Sequence, residues 1–492
     1  MKKQIIKAFA LLVLGGSISG CGNDFLDTDY YKGIDVETGL NSVNNISTAL
    51  NGVYDRLFRY YFAGNYAINI GDVPTDISYW NVKTNHWNNL YTYTVMETDG
   101  YLKNIWNYGY KVADNAARVI EASEALYNES STSEKAELDQ IMAEAYALRG
   151  YAQLILTNVF CHQIKVAGTD YSSQPGIVVI DKPIKALTEV SRSTVGQSYQ
   201  AVLSDLNNAL THFNAAGGDR GELVYFTTAA VHGLLARTFL YMENWDSAIQ
   251  SAKSALTTKG ITTLTYGDAA YKALYNTGTS NTESMFALAI TPTQAWSANS
   301  SGTLWSTYNF SPSPKLLSLY ADKDCRTSVF GWAESSTETV PVFNAGKFAH
   351  FSSGNPAYGT HYIVNAPEMF LIIAEANVKS SSGSLSNAQE ALLTVAKRNA
   401  DITSVSDLPS TADGLMEFLQ NERARELFQE GMRLWDLRRW DVLTGVQAYA
   451  APDIEFKFNN YKISNLVLPI PVDEVNSGFG VEQNDWFNTL PK

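Results

Sequence analysis

Residues Asn421 to Trp440 read NERARELFQEGMRLWDLRRW. Leu427, Leu434 and Leu437, with Phe428 and Trp435 beside them, recur close to the helical period, and the stretch predicts one continuous helix. Twenty helical residues span about 30 Å, the width of a small domain. Glu422, Arg423, Arg425, Glu426, Glu430, Arg433, Asp436, Arg438 and Arg439 set both signs three and four residues apart, where they pair along a helix. The physical expectation is a solvated, salt-bridged face.

The wording carries a second message. Glu422, Arg423, Glu426, Leu427, Glu430, Gly431, Arg433, Asp436, Leu437, Arg439 and Trp440 match the pattern Glu-Arg-x-x-Glu-Leu-x-x-Glu-Gly-x-Arg-x-x-Asp-Leu-x-Arg-Trp. This resembles the C-terminal signature of the RagB/SusD family, surface nutrient-binding lipoproteins of Bacteroidetes. Further phrases fit the same family: Glu144, Leu148 and Arg149; Met369 to Ala376; and Leu468-Pro469-Ile470-Pro471 followed by Glu474 and Gln483-Asn484. The resemblance implies that the opening stretch is framework and binds no ligand itself.

The chain has 492 residues, 45% hydrophobic and 17% charged, enough to bury a sizeable core. Its formal charge is −14, and −17 without Lys2, Lys3 and Lys7 of the leader. So acidic a chain argues against nucleic acid, which requires clustered lysine and arginine. Residues 1–20 read as a secretory leader: a basic start, an apolar run from Ala8 to Leu14 too short to span a bilayer, then small residues. Ile18-Ser19-Gly20-Cys21 looks like a lipobox, which makes Cys21 the expected lipidation site and membrane anchor; each buried acyl methylene contributes roughly 0.8 kcal/mol. The acidic phrase Asp24-Phe25-Leu26-Asp27 resembles a surface-export signal and points to the outer membrane, facing the medium. Cys161 and Cys325 are either two buried thiols or a pair.

Apolar spacing predicts helices from Val43 to Tyr61, Ile105 to Leu126, Ser131 to Phe160 (opened by a Ser131/Glu134 capping box), Thr194 to Phe213, Pro367 to Lys379 and Ser386 to Asn399. Ala229 to Arg237, then Ala248, Ala252 and Ala255, put small residues where two helices approach closely, similar to a tetratricopeptide pair. The expected fold is mainly α, SusD-like, with degenerate tetratricopeptide-like helical pairs and an irregular loop-rich insertion with short β segments. One SusD-like domain is expected over 21–492, with a helical body at 40–276 and 365–440, the insertion at 277–364 and an irregular tail at 441–492. Strand-prone fragments lie at Met285 to Ile290 and Val340 to Phe343.

No zinc-protease, P-loop, hydrolase-elbow or dinucleotide motif is present in the sequence, and the six histidines lack metal-ligand spacing; His232, in a packed-helix phrase, reads as a core residue. Neither an enzyme nor a cofactor is expected. The tryptophans divide by context. Trp106, Trp245, Trp435, Trp440 and Trp486 sit in framework phrases, and Trp332 also reads as structural. Trp80, Trp87, Trp296 and Trp305 sit in loops rich in Asn, Thr, Ser and Gly. An aromatic face stacks on the apolar C–H face of a pyranose, and amides or charged groups meet its hydroxyls. Trp80, Asn81, Trp87, Trp296, Trp305 and Tyr308 are therefore the candidate ligand contacts. The family resemblance implies capture of an oligosaccharide or polysaccharide and delivery to a SusC-like TonB-dependent transporter. A peptide-binding, RagB-like role and a helical-repeat scaffold without its own small ligand are the alternatives.

Overall fold

The computed structural model describes residues 39–308, 310–338, 340–442 and 466–489. The leader, Cys21 and its acidic phrase lie outside the described residues. Ten helices form the body: α1 (Val43–Phe58), α2 (Gly100–Tyr127), α3 (Thr132–Phe160), α4 (Val195–Ala216), α5 (Thr228–Tyr241), α6 (Trp245–Lys259), α7 (Ala366–Lys379), α8 (Leu385–Ala396), α9 (Ala412–Glu426) and α10 (Arg433–Trp440). Each of the first nine packs on its neighbour in sequence, and α7 adds contacts to α9. The caps follow the sequence. Ser131 and Glu134 close a reciprocal capping box on α3, and Thr194 with Gln197 closes another on α4. From Ile141 to Phe160, α3 is buried on every side, as the central helix of the body must be. Ala248, Ala252 and Ala255 are fully buried on α6, where α5 and α7 lie against it.

Two small antiparallel ladders hold the irregular segments. Strand β1 (Ser78–Trp80) pairs with β3 (Phe310–Pro312), and β2 (Ser284–Leu288) with β4 (His361–Asn365). The Val340 to Phe343 fragment makes only an isolated bridge, Trp332 to Phe343, and no strand. Pro341 has no N–H with which to extend a ladder. The predicted loop between α1 and α2 is more ordered than expected; it contains β1 and short helical turns at Tyr66–Asn69 and Asn88–Tyr91. Cys161 and Cys325 are both buried and free. His232 is half-buried on the α5–α6 surface, where it borders a groove with Asp246 and Lys253, so it is not a core residue.

The stretch expected to be one helix is two. Helix α9 stops at Glu426, and the chain turns through Gln429 (φ 67°) and Gly431 (φ 75°) before α10 begins. The cause is a backbone-to-backbone approach. A Cβ on Gly431 would lie 2.4 Å from the Ile68 carbonyl oxygen, and one on Gly71 would lie 2.0 Å from that of Gly431. Leu434 N–H donates to the Gly71 carbonyl at 2.7 Å. Buried Asp72 accepts the N–H groups of Gly431 (2.9 Å) and Arg433 (3.2 Å), satisfying donors at the start of α10. Burial pushes the Asp72 carboxyl up to about 7, against the pull of those two N–H groups.

The charged residues of the stretch are not a solvated face either. The bent α9–α10 unit turns them inward, into pairs with other segments. Arg433 makes a fork to Asp76 (2.7 and 2.8 Å), Arg423 and Arg439 share Asp436 (2.7 and 3.0 Å), and Arg439 also reaches Glu375. Arg326 bridges Asp324 (2.6 Å), Glu422 (2.7 Å) and Glu426 (3.0 Å), and Arg398 joins Glu426 to Glu283. Planar, bidentate guanidinium groups suit such desolvated pairs better than lysine would. Arg438 donates from its two terminal nitrogens to the carbonyls of Asn158, Cys161 and Leu466, and so ties the tail to α3. The tail phrase adds to the clasp: Asn484 donates to the Phe160 and Leu468 carbonyls, and Gln483 both donates to and accepts from the backbone of Ile470.

Candidate ligand-binding site

Beyond α1 the chain reads Arg59-Tyr60-Tyr61, then turns back at Asn65-Tyr66. Tyr61, which periodicity assigns to the helix, falls past its end and is half-exposed. This turn, the first three turns of α2 and the insertion converge on one aromatic surface. Tyr60 and Tyr61 lie 4.0 Å apart by ring centroids; Tyr61 meets Tyr108 at 5.0 Å; Tyr66 meets Tyr101 at 4.8 Å. Trp296 arrives from the insertion, 5.0 Å from Phe58 and 5.9 Å from Tyr60. Its indole N–H donates to the Phe58 carbonyl at 3.1 Å, at the end of α1, which fixes the plane of the ring. All these rings are half-buried, so each keeps a face or edge toward solvent.

Amide and indole groups lock the two chain segments together. Asn65 donates to the Asn299 carbonyl (2.7 Å), and Asn69 donates to Ser301 Oγ (2.7 Å) and accepts the Trp305 indole N–H (2.6 Å). Ser301 is in turn 2.8 Å from His361 of β4, whose imidazole is held neutral by burial, its pKa lowered to about 4. The surface is therefore preformed, which limits the ordering cost of binding.

The phenols of Tyr60, Tyr66 and Tyr101 stay protonated. Burial, then the neighbouring Tyr61 hydroxyl, pushes Tyr60 up to about 12, and burial raises Tyr66 and Tyr101 as well. Each offers a neutral O–H that donates and accepts. Two cations flank the patch: Arg59, paired to Asp55 at 2.8 Å, lies 5.5 Å from the Trp296 ring, and Lys111 lies 4.6 Å from the Tyr108 ring. Among the described residues no group of His, Cys, Asp and Glu side chains could hold a metal ion, and no helix is long and apolar enough to cross a membrane.

The six residues singled out from sequence fall into different places. Trp296 is half-exposed on the patch. Trp87 lies beneath it, 2% exposed, with its ring 4.7 Å from Tyr101 and 5.7 Å from Tyr66; its φ of 63° is uncommon for a bulky residue. Trp305 is fully buried and packs edge-on to Phe428 at 5.0 Å. Trp80, 6% exposed, points from β1 toward Tyr91 and donates to the Thr84 carbonyl. Asn81 is buried and donates to the Pro341 carbonyl at 2.7 Å. Tyr308 is half-exposed and pairs with His86, with centroids 4.4 Å apart, away from the Trp296 group. Exposure thus separates Trp296 and Tyr308 from Trp80, Trp87 and Trp305, whose loops fold over them. Sequence reasoning passed over Tyr60, Tyr66, Tyr101 and Tyr108. The signal available was the Tyr60-Tyr61 doublet just past a helix end, where a core stripe should stop. It also read Trp332 as structural, yet Trp332 is 42% exposed.

The comparisons bear on the whole chain. Residues 24–240 match a SusD-like family profile described as "Starch-binding associating with outer membrane", and residues 366–487 match the SusD family profile. A search of curated proteins finds no match. A SusD superfamily protein from Bacteroides thetaiotaomicron VPI-5482 superposes with TM-score 0.78 at 23% identity, covering 90% of this chain and 99% of its own. A second, from Bacteroides vulgatus ATCC 8482, gives 0.77 at 22%, covering 92% and 100%. A SusD-like carbohydrate-binding protein from that organism gives 0.67 at 21%, covering 81% and 83%. At these identities the superpositions establish a shared fold. With two family profiles matched over separate halves of the sequence, and the signature folded as one buried unit, the chain belongs to the SusD/RagB family.

Proposed function

We propose that this protein is a non-enzymatic glycan-capture lipoprotein. It binds an oligosaccharide or polysaccharide fragment on the Tyr60–Tyr66–Tyr101–Trp296 surface and passes it to a SusC-like TonB-dependent transporter. The observation that carries this reading is the set of half-exposed tyrosine rings beside Trp296, whose plane the Phe58 carbonyl fixes, on segments that Asn65 and Asn69 tie together. Such rings offer stacking faces for the apolar side of a sugar and phenol groups for its hydroxyls. Trp296 and these tyrosines are the contacts, and Trp87 supports the ring planes of Tyr66 and Tyr101 from below. Trp80, Asn81 and Trp305 act as positioning residues. The family's described association with the outer membrane supports placement there, and Cys21 supplies the lipid tether. Capture and release require no covalent step.

The test is affinity electrophoresis of the mature chain in gels containing plant, fungal and host polysaccharides, with calorimetry against a peptide digest in parallel. Retardation by a glycan that Trp296→Ala abolishes, at unchanged melting temperature, is the expected result. Heat from peptides without retardation would replace this reading with the RagB-like one. Silence in both would leave a scaffold role.

A further inference from the structure

A second cleft, sharing no residue with the aromatic patch, lies beside Trp332. It has a volume of about 360 Å3, at the small end of the roughly 300–1,000 Å3 typical of ligand pockets, and its lining includes Tyr79, Pro312, Pro314, Leu317, Trp332 and Pro341. Of the ten tryptophans, all within the described residues, Trp332 alone is exposed rather than buried or half-buried. A framework role does not require an open indole face.

The loop that presents it is fixed. Asn344 N–H donates to the Gly331 carbonyl (3.0 Å), Ala333 N–H to that of Val342 (2.9 Å) and Thr337 N–H to that of Val340 (3.1 Å). The indole rests against the Phe343 ring, with centroids 5.3 Å apart. The opposite wall is equally fixed: Ser311 and Pro312 lie in the β1–β3 ladder, and Pro314 opens a short helix whose Leu317 is 36% exposed. The ring is thus held open and still, so binding there orders little that is not already ordered.

The polar inventory of the cleft decides what fits. Three of its wall residues are prolines, which have no N–H to donate. The Pro341 carbonyl is taken by Asn81 at 2.7 Å. The hydroxyls of Ser336 and Thr337 each accept a backbone N–H, from Val342 (3.1 Å) and Val340 (3.0 Å). Glu338, exposed on the same rim, is the one charged residue of the lining and directly follows Ser336 and Thr337, so the carboxylate and both of these hydroxyls belong to one wall. A sugar ring can stack on the indole with one polar edge toward Glu338, but its other edge meets proline and leucine. A hydroxyl driven there loses its water partner and gains none. A methyl group loses nothing and leaves water.

We propose that the Trp332 cleft is a second saccharide subsite, selective for rings that carry a methyl group on one edge, as a 6-deoxyhexose or an O-acetylated sugar does. The proposal rests on the glycan-capture reading, and its test separates the two. Calorimetry is run on the full mature chain with O-acetylated xylo-oligosaccharides, the same material after saponification, and rhamnose oligosaccharides. The wild type is compared with Trp332→Ala, Leu317→Ser and Trp296→Ala. The expected result is that Trp332→Ala weakens a methyl-bearing probe about tenfold, the loss expected when an apolar contact of roughly 1.4 kcal/mol is removed, and leaves the saponified material unaffected. Leu317→Ser, whose side chain is already part-exposed, narrows the same preference without unfolding the protein. Loss confined to the acetylated or to the rhamnose probe identifies the source of the methyl group. Trp332→Ala binding every probe as the wild type does, while Trp296→Ala does not, overturns the subsite and leaves glycan capture standing. Absence of binding by the wild type to all three overturns the subsite, and if the polysaccharide gels are also silent, the capture reading falls with it.

Discussion

Replacing Arg326 by methionine is predicted to destabilise the protein by about 3–5 kcal/mol at neutral pH, the range for removing one partner of a buried ionic cluster. The structure sets the size. Arg326 is 2% exposed and contacts three carboxylates; a methionine side chain would fill most of the volume and leave Asp324 without its two-point partner. Glu422 would keep Arg425, and Glu426 would keep Arg398, so the cluster is weakened rather than emptied. Burial alone would raise Glu422; Arg326 and Arg425 overcome it and bring the carboxyl down to about 2, against an ordinary 4.5. A depressed carboxyl contributes stability that is complete above about 4.5 and is lost as pH falls from there towards 2, here about 3 kcal/mol for a fully buried group. The Arg326→Met deficit should therefore shrink in acid. Urea unfolding followed by tryptophan fluorescence, at pH 7 and again at pH 3.5, measures it. A loss below about 1 kcal/mol at pH 7, or an equal loss at both values, would refute the claim that the signature's charges hold the fold through desolvated pairing.

Gly431→Ala combines a left-handed φ with a Cβ 2.4 Å from the Ile68 carbonyl, and should lower stability by at least about 2 kcal/mol, read from the same urea curves. Trp305→Ala should cost about 3–5 kcal/mol through the cavity it leaves and the orphaned Asn69 amide, whereas Trp296→Ala should cost under about 1 kcal/mol and act on binding; equal melting shifts would contradict the division between support and contact. Cys21→Ser should yield an exported protein found in the soluble fraction of cells, and finding it in the membrane pellet would sink the lipid tether.

Much of the helical body was legible because its information is local. Ser131 with Glu134 marks the start of α3 whatever surrounds it, and Ala248, Ala252 and Ala255 mark a close helix contact by size alone. The features that were not legible depend on partners far along the chain. Nothing near Gly431 says that Gly71 will come against it, so an unbroken helix was the better local inference. The same holds for its charges: a salt-bridged row at helical spacing reads as solvated until Asp76 and Glu375 arrive from elsewhere to meet its arginines, and Arg326 to meet Glu422 and Glu426. In the candidate site, composition pointed to two loops rich in aromatic and amide residues, but tryptophan in a polar loop is as often the plug beneath a surface as the surface itself. Trp80 and Trp305 are plugs. The exposed ring at Trp332 was missed because Asp324-Cys325-Arg326 nearby resembles framework, although Trp332 lies past the end of the Cys325–Val329 turn, on the loop that follows.

The backbone junction of Gly71 with Gly431 joins positions about 360 residues apart. Synthesis delivers the chain from its N-terminus, so the aromatic turn emerges long before the segment that clamps it. Contacts of such long sequence separation form late, after the loop they close has been constrained by other packing. A chain cut short before Gly431 therefore carries every ring of the proposed capture surface but lacks the segment against which Gly71 packs. If the proposed capture role holds, ligand affinity then reports on whether the molecule has been made to its end.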